Sequence, residues 1–389
     1  MDIERFGKSP SGKVIEVGQG EAAYHAFIPN PLPPQLEPSF ELMQALSMAD
    51  RALGELAGLG RNIPNPHLLI TPFIRREAVL SSRIEGTETD VTDLYVYEAG
   101  QPSLPGLKSL PPESDVREVS NYVTALEYGI ERLATLPVSL RLIRELHEQL
   151  MRGVRGEHAT PGEFRHSQNW VGSPGCNLND ATYVPPPPFE MNEALGAFES
   201  FLHSKQEYPP LIQLALIHYQ FEAIHPFLDG NGRIGRLLMS LLLIHWNLLP
   251  LPLLYLSAYL EKHRQDYYDL LLNVSREGAW NEWLAFFLVG VAEQAEDANS
   301  RARRLQDIQT EWRSRLQQAK ASGLLLAVAD HLLGWPLITA STVQQLFGVT
   351  HPTALQALRR LELHGIVKQL RGTGRQRLFL ADTVLRLVE

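Results

Sequence analysis

The sequence predicts a mainly α protein: a helical bundle core with a small β-hairpin flap, followed by a helix-turn-helix unit with a wing. Three observations carry this. Apolar residues recur at three- and four-residue spacing through most of the chain, as at Leu42, Met43, Leu46, Leu53 and Leu56. Strand patterns are scarce, and one short segment combines turn formers with a β-like Thr182-Tyr183-Val184 before four prolines. The tail reads as a short helix, a turn at Gly348, a second helix, and two apolar strands joined by "RGTGRQR".

The elements follow in order. Residues 20–38 include "FIPNPLPPQLEP", too rich in proline for a helix, and read as an extended arm on a domain surface or a disordered tail. Helix begins at Phe40. "TPFIRREAVLSSRIEG" predicts another, with Thr71 as N-cap, Pro72 in the first position and Gly86 just past the end. Gly100–Ser114 is a loop. Further helices are expected at about 116–134, 139–151, 190–203, 209–223, 232–248, 256–275 and 280–320. This divides the chain into an N-terminal arm and helical region (1–135, with a helix over 71–86), a core (136–290), a charged helical connector (291–320) and the C-terminal unit (321–389).

The chain has 389 residues, room for two or three domains, and a formal charge of −9, which excludes a generic polyanion binder. Its single cysteine, Cys176, precludes an intramolecular disulfide, and "MDIERFGKSPSGK" lacks an apolar signal core, so a cytoplasmic location is expected. Leu237–Leu256 is apolar but broken by Ser240, His245, Asn247, Pro250 and Pro252. It reads as a core helix stopping before Pro250, not a membrane span.

The chemistry concentrates in "HPFLDGNGRIGR", His225 to Arg236. Pro226 pushes His225 out of helix. Gly230 and Gly232 let Asn231 and its neighbours turn N–H groups one way at the start of a helix, which makes an anion nest suited to phosphate. Arg233 and Arg236, separated by Ile234 and Gly235, share a face and can fork onto further phosphate oxygens. Asp229 would repel a phosphate unless a cation stood between them, and Mg²⁺ is the natural one. His225 then has the chemistry to take a proton from a hydroxyl that attacks a nucleotide phosphate.

These twelve residues resemble the full signature of the Fic family. The likeness extends to "TPGEFRHSQNWVG" and "YVPPPP" before it and "YYDLLLNVSREGAWNEWLAFFL" after it. It implies the Fic helical bundle and transfer of AMP from ATP to a Ser, Thr or Tyr hydroxyl of a target protein, or of the enzyme itself. In it His225 is the general base and Asp229 binds Mg²⁺. Gly230, Asn231 and Gly232 line the phosphate hole, Arg233 and Arg236 hold the outer phosphates, and Phe227 packs under the loop. Doc-like phosphotransferases carry lysine where Gly232 stands. Glycine leaves room for an α-phosphate, so AMP transfer is favoured. Tyr267 and Tyr268 match positions lining the adenine pocket, although Ser275 stands where some relatives have asparagine.

Glu85 falls in the last turn of its predicted helix, where the dipole disfavours a carboxylate and a cation should compensate. Ser81 lies four residues earlier on the same face. Ser81, Glu85 and Gly86 are similar to the Fic inhibitory motif, which implies that Glu85 pairs with Arg236 and takes it from the ATP γ-phosphate. In some family members this glutamate also supports AMP removal. The flap, Asn177–Val184 with Ala181, Thr182 and Tyr183, can pair with an extended target chain.

"LHEQLM" resembles the start of a zinc-protease helix, but Met151 stands where the second histidine belongs. From His351 onward seven Lys or Arg face three acids, with Arg359 and Arg360 on the second helix and Arg371, Arg375 and Arg377 on the wing. That fits phosphate contacts on DNA, while such units also make protein contacts or homodimers. The alternative to a self-inhibited adenylyltransferase is therefore a DNA-binding regulator whose core senses ATP.

Overall fold

The computed structural model describes residues 1–20, 23–61, 66–100, 112–154, 160–173, 175–204, 207–370 and 377–389, without the side chains of 66–69. The loop expected over 100–114 and the turn bearing Arg371 and Arg375 thus fall mostly outside the described residues.

The N-terminal part runs α1 (Ile3–Gly7), β1 (Gly12–Val17), β2 (Tyr24–Pro29), α2 (Phe40–Arg61), α3 (Pro66–Ile84), α4 (Val91–Glu98), α5 (Glu113–Arg132) and α6 (Leu140–Leu150). Then come α7 (Pro188–Leu202), α8 (Pro210–Ile224), α9 (Asn231–His245), α10 (Ser257–Lys262), α11 (Arg264–Glu277) and α12 (Trp280–Gln318). The chain ends with α13 (Gly323–Gly334), β3 (Leu337–Thr339), α14 (Ala340–Phe347), α15 (His351–Leu363), β4 (Lys368–Leu370), β5 (Leu378–Leu380) and α16 (Asp382–Val388). The protein is mainly helical, as the apolar spacing predicts.

The centre belongs to α8 and α9. Thirteen of the fifteen residues of α8 are buried, so it is apolar on every side and can sit only inside a bundle. In α9, Leu237, Leu238, Leu241 and Leu242 are buried, and the helix ends at His245, short of Pro250. Helices α5 and α6 pack on α9, and α3 lies against α5, α9 and α10. On α2, Ala45, Ala49 and Ala52 are buried, with Ala295, Ala298 and Ala302 on α12, which packs along it. Small side chains at such a seam let two helix backbones approach closely. Residues 291–318 continue α12 without a break and bury Leu305, Ile308 and Trp312.

Three expectations are corrected. Helix α3 begins at Pro66, so Thr71 is not an N-cap and Pro72 lies inside the helix. The earlier proline starts the helix at no loss of a bond, and Arg75 Nη1 donates to the Thr71 carbonyl at 3.1 Å. The 256–275 helix is two, because His263 takes φ −111°, ψ 36°. The apolar period runs across this break and so conceals it. Residues 24–29 are not a disordered tail but an extended segment that is paired: β2 runs antiparallel to β1, from Gly12↔Pro29 to Val17↔Tyr24. Phe27 N–H also reaches the Val184 carbonyl at 2.9 Å, so the hairpin braces the base of the flap.

In the C-terminal unit, α14 and α15 are joined through Gly348 at φ +62°. The sheet has three strands, ordered β3-β5-β4, where two were expected. Here α13 packs on both α3 and α12. Among the described residues no helix is long and apolar enough to cross a membrane.

Candidate functional site

The signature loop joins α8 to α9. Pro226 forbids His225 a helical conformation, and His225 caps α8 in the left-handed region at φ 51°, ψ 61°. A non-glycine residue there is strained by about 1–3 kcal/mol unless its surroundings hold it. They do: its N–H bonds the Phe221 carbonyl at 3.0 Å, and its own carbonyl accepts from Arg165 Nε at 2.9 Å. Nδ1 lies 3.2 Å from the Glu222 carbonyl. A carbonyl only accepts, so Nδ1 carries the proton and Nε2 keeps its lone pair. Burial pushes His225 down to about 4, so the ring is neutral at pH 7.

Residues without an expected role hold this loop. Arg165 is buried, and besides His225 it donates to the carbonyls of Ser167 (3.2 Å), Ile224 (3.5 Å) and Pro186. Burial pushes it down to about 10. Asn169 Nδ2 donates to the Phe227 carbonyl at 2.8 Å. His147 stacks on Phe227, ring centroids 3.8 Å apart, accepts from Gly162 N–H and faces the Asp229 carbonyl at 3.1 Å. Arg165 and Asn169 lie in a stretch the resemblance covers, which was the available signal. His147 showed only as a failed zinc motif.

Gly230 sits at φ +80° and starts α9. The helical ladder begins with Ile234 N–H on the Gly230 carbonyl at 3.0 Å, so the N–H groups before it point out of the helix end. Asn231 contributes backbone only. Its side chain grips Phe227, Oδ1 accepting from N–H at 2.9 Å and Nδ2 donating to the carbonyl at 2.8 Å. Phe227 is fully buried under the loop, as expected.

The two arginines diverge. Arg236 is 1 % exposed and binds α3: Nε to Ser81 Oγ at 2.9 Å, Nη2 to the Ser81 carbonyl at 2.9 Å and to Glu85 Oε1 at 2.6 Å. Arg233 points elsewhere, to Glu118 at 3.1 Å and Asp229 at 3.5 Å. The expected shared face is therefore corrected. Residues three apart on a helix differ by about 60° in direction, and carboxylates on two neighbouring elements, Glu118 and Glu85, draw the side chains apart.

Glu85 is placed by a helix end. Gly86 takes φ +101°, its N–H bonds Arg83, and Thr87 N–H bonds Ser82, a Schellman closure that leaves Glu85 at the C-cap. Burial would raise its carboxyl, but Arg236 more than offsets this, and the group lies below the ordinary glutamate range. The carboxylate stands directly over Gly232, where a Cβ would overlap Oε1 and come within 2.9 Å of Arg236 Nη1.

A cleft of about 670 Å³ brings together Glu85, His225, Gly232 and Arg236 with Tyr268, Leu271 and Ser275 of α11 and Trp170 and Thr182 of the flap. That volume suits a small-molecule ligand. Tyr267 also touches it but is a core residue, 1 % exposed, its hydroxyl 2.8 Å from His218 Nε2. Tyr268 is 39 % exposed, its ring 5.1 Å from that of Tyr267. In the flap, Val171 bridges Tyr183. Of the three residues expected to dock a target, Thr182 alone is exposed. Ala181 is buried against Ala26 and Val184, and Tyr183 turns inward to donate to the Ala223 carbonyl at 2.7 Å. The alternation of a strand sends its neighbours to opposite faces, and here the core takes two of three.

Asp229 is half exposed beside the cleft. Its Oδ1 accepts from Gly230 N–H at 2.6 Å, leaving Oδ2 to face a cation. Among the described residues no three acidic, histidine or cysteine side chains cluster as a metal cage. One carboxylate nevertheless suits Mg²⁺ carried on substrate phosphates.

Fold and site thus define a helical protein built round the N-terminus of α9, faced by the Glu85 carboxylate from the end of α3. The Fic/DOC family N-terminal profile matches residues 43–131 and the Fic/DOC family profile residues 137–243, together half of the chain, and the chain belongs to that family. It is 36 % identical over 154 residues to protein adenylyltransferase Fic of Aedes aegypti, and 32 % over 151 residues to that of Culex quinquefasciatus. Each match takes in 38 % of this chain and 27 % of the relative, so the chain spans about a quarter of those relatives' length. In fold it resembles a Fic family protein from Desulfovibrio desulfuricans G20, with TM-score 0.57, 19 % identity, and 90 % of this chain and 98 % of that one covered. Fic-1 from C. elegans gives TM-score 0.50 at 20 % identity over 68 % of this chain and 73 % of its own.

Proposed function

We propose that this chain transfers AMP from ATP to a protein hydroxyl and that Glu85 restrains the reaction. The observation that carries the reading is the carboxylate of Glu85 over Gly232 and on Arg236: an anion already sits where the helix N-terminus and a buried arginine would receive phosphate. The names of the insect relatives support the same activity.

In the reaction, the N–H groups at the start of α9 hold the α-phosphate, and Arg236, once free, holds the outer phosphates. The target hydroxyl loses its proton to Nε2 of His225 as its oxygen bonds the α-phosphorus, and diphosphate leaves. The Nδ1–H bond to Glu222 keeps the ring in the accepting tautomer. Mg²⁺, which Asp229 would hold, supplies charge neutralisation on the phosphates. Exposed Thr182 and the backbone of the flap receive the target chain.

In this reading the core, 136–290, carries the transfer and the N-terminal region, 1–135, supplies the brake. The C-terminal unit, 321–389, is a winged helix with exposed Arg359 and Arg377 for a partner. A DNA role is the weaker reading there, because Asp382 pairs with both Lys368 (2.6 Å) and Arg386 (2.8 Å) and lowers the positive charge of the unit.

ATP labelled on the α- or the γ-phosphate, given with Mg²⁺ to wild type, Glu85→Gly and Glu85→Gly/His225→Ala, tests the reading. Label from the α position, strong in Glu85→Gly and absent in the double variant, is expected. Label from the γ position would mean phosphoryl transfer instead. No label from either, even with cell lysate as target, would overturn the proposal.

A further inference from the structure

The cleft contains a second carboxyl that the reaction above does not use. Glu222 lies on α8 one turn before His225 and lines the cleft beside Tyr219, Arg236, Tyr267 and Ser275. Its Oε1 is buried and has no hydrogen-bond partner. The facing helix is cut to admit it: a Cβ at Gly235 would stand 2.5 Å from that oxygen. Glycine weakens a helix interior, and Gly235 has an ordinary helical backbone. Its missing side chain is thus explained by Glu222.

Two neighbouring pairs of polar side chains are already closed, although His218 Nδ1, next to Gly235, has no partner either. Ser275 Oγ and Tyr219 OH meet at 2.9 Å, and Tyr267 OH meets His218 Nε2 at 2.8 Å. Ser275, which stands where some relatives have asparagine, is 3 % exposed and therefore a poor ligand contact. Glu222 is left with a buried acceptor and nothing to accept. Burial pushes its carboxyl up to about 7, with Arg236 pulling the other way.

Phosphates offer acceptors and negative charge, so a carboxylate has little to give them. A nucleoside offers donors, in a base amino group and in sugar hydroxyls. We propose that Glu222 reads the nucleoside half of the nucleotide by accepting a hydrogen bond from a base amino group or a sugar hydroxyl, a specificity role that rests on the AMP-transfer reading. The geometry behind it is the partnerless oxygen, the glycine that houses it, and the closed Tyr219–Ser275 and Tyr267–His218 pairs.

Calorimetric binding to the full chain carrying Glu85→Gly tests this. The ligands are ATP, purine riboside triphosphate (which lacks the amino group), 2′-deoxy-ATP, 3′-deoxy-ATP and inorganic tripolyphosphate. Glu222→Met keeps the volume without the acceptor, and Glu222→Gln keeps an acceptor. The methionine variant is expected to bind ATP about tenfold more weakly, with glutamine restoring most of the loss and tripolyphosphate binding unchanged. One analogue is expected to bind the Glu222 protein as weakly as ATP binds the methionine variant, which identifies the donor as amino or hydroxyl. Equal losses for tripolyphosphate and ATP would overturn the proposal, and so would unchanged ATP binding or none at all. If Glu222→Met does not fold, the analogue series decides alone, since analogues that all bind like ATP refute the role. Analogue discrimination without any transfer of label would sink the transfer reading and leave this one standing.

Discussion

Glu85 and Arg236, 151 residues apart in sequence, are joined at 2.6 Å between Oε1 and Nη2. Arg236 is 1 % exposed, and its remaining bonds go to Ser81, one turn before Glu85. A single helix end thus provides both the carboxylate that stands over the phosphate nest and the hydroxyl that fixes the arginine. Burial disfavours an unpaired guanidinium, so Glu85 and Arg236 hold each other in the resting protein.

Replacing Glu85 with glycine should therefore empty the nest and free Arg236. AMP transfer is expected to rise several-fold or more, read as α-labelled product per enzyme. An unchanged yield in Glu85→Gly would remove the brake from the account.

His225 should stay neutral across the physiological range. Its folded pKa is depressed to about 4, so protonation begins only well below the ordinary histidine value of about 6.5. Nitrogen chemical shifts in the resting protein are expected to show Nδ1 protonated and Nε2 bare from pH 8 down to about 5. A titration midpoint near 6.5 would contradict the burial argument. Phosphates bound beside the ring add negative charge and should raise the pKa on ATP binding.

Arg165 is expected to be a structural clamp with a catalytic consequence. Arg165→Met removes the guanidinium that the carbonyls of His225, Ser167, Ile224 and Pro186 share as a donor, and the loss of stability should reach about 3 kcal/mol. In the Glu85→Gly background, transfer should also fall by about tenfold or more as His225 leaves its left-handed conformation. Chemical denaturation checks the first effect and labelling the second. A midpoint equal to that of the parent would show the clamp to be dispensable.

The brake helix is also held from its far side. Arg75, on the same helix as Glu85, places its guanidinium 4.0 Å from the Trp335 ring centroid and its Nε 2.8 Å from Glu98. A desolvated contact of this kind is worth about 2 kcal/mol. Trp335→Ala should loosen α3 and raise AMP transfer, by less than Glu85→Gly does. If the variant melts earlier but labels no better than wild type, the C-terminal unit does not communicate with the brake through this contact.

Much of this was readable in one dimension because its physics is local. Pro226 pushes His225 out of helix, Gly230 turns the chain into α9, and Gly86 closes a helix, all within a few residues. Apolar spacing revealed the helices for the same reason, since it records a face and needs no partner. The N-terminal hairpin was hidden by the prolines that follow it. The break at His263 was hidden by an apolar rhythm that crosses it.

The sequence by itself determined the helical class, the family signature, the turn at Gly230 before α9 and the pairing of Glu85 with Arg236 that the resemblance implies. Tertiary structure alone decided that Tyr267 and Tyr183 turn inward while Tyr268 and Thr182 face the cleft, and that His147, Arg165 and Asn169 hold the loop. It also set Glu222 against Gly235. Periodicity and turn chemistry act between near neighbours, whereas burial and charge pairing depend on elements far apart in the chain that packing brings within a few ångströms.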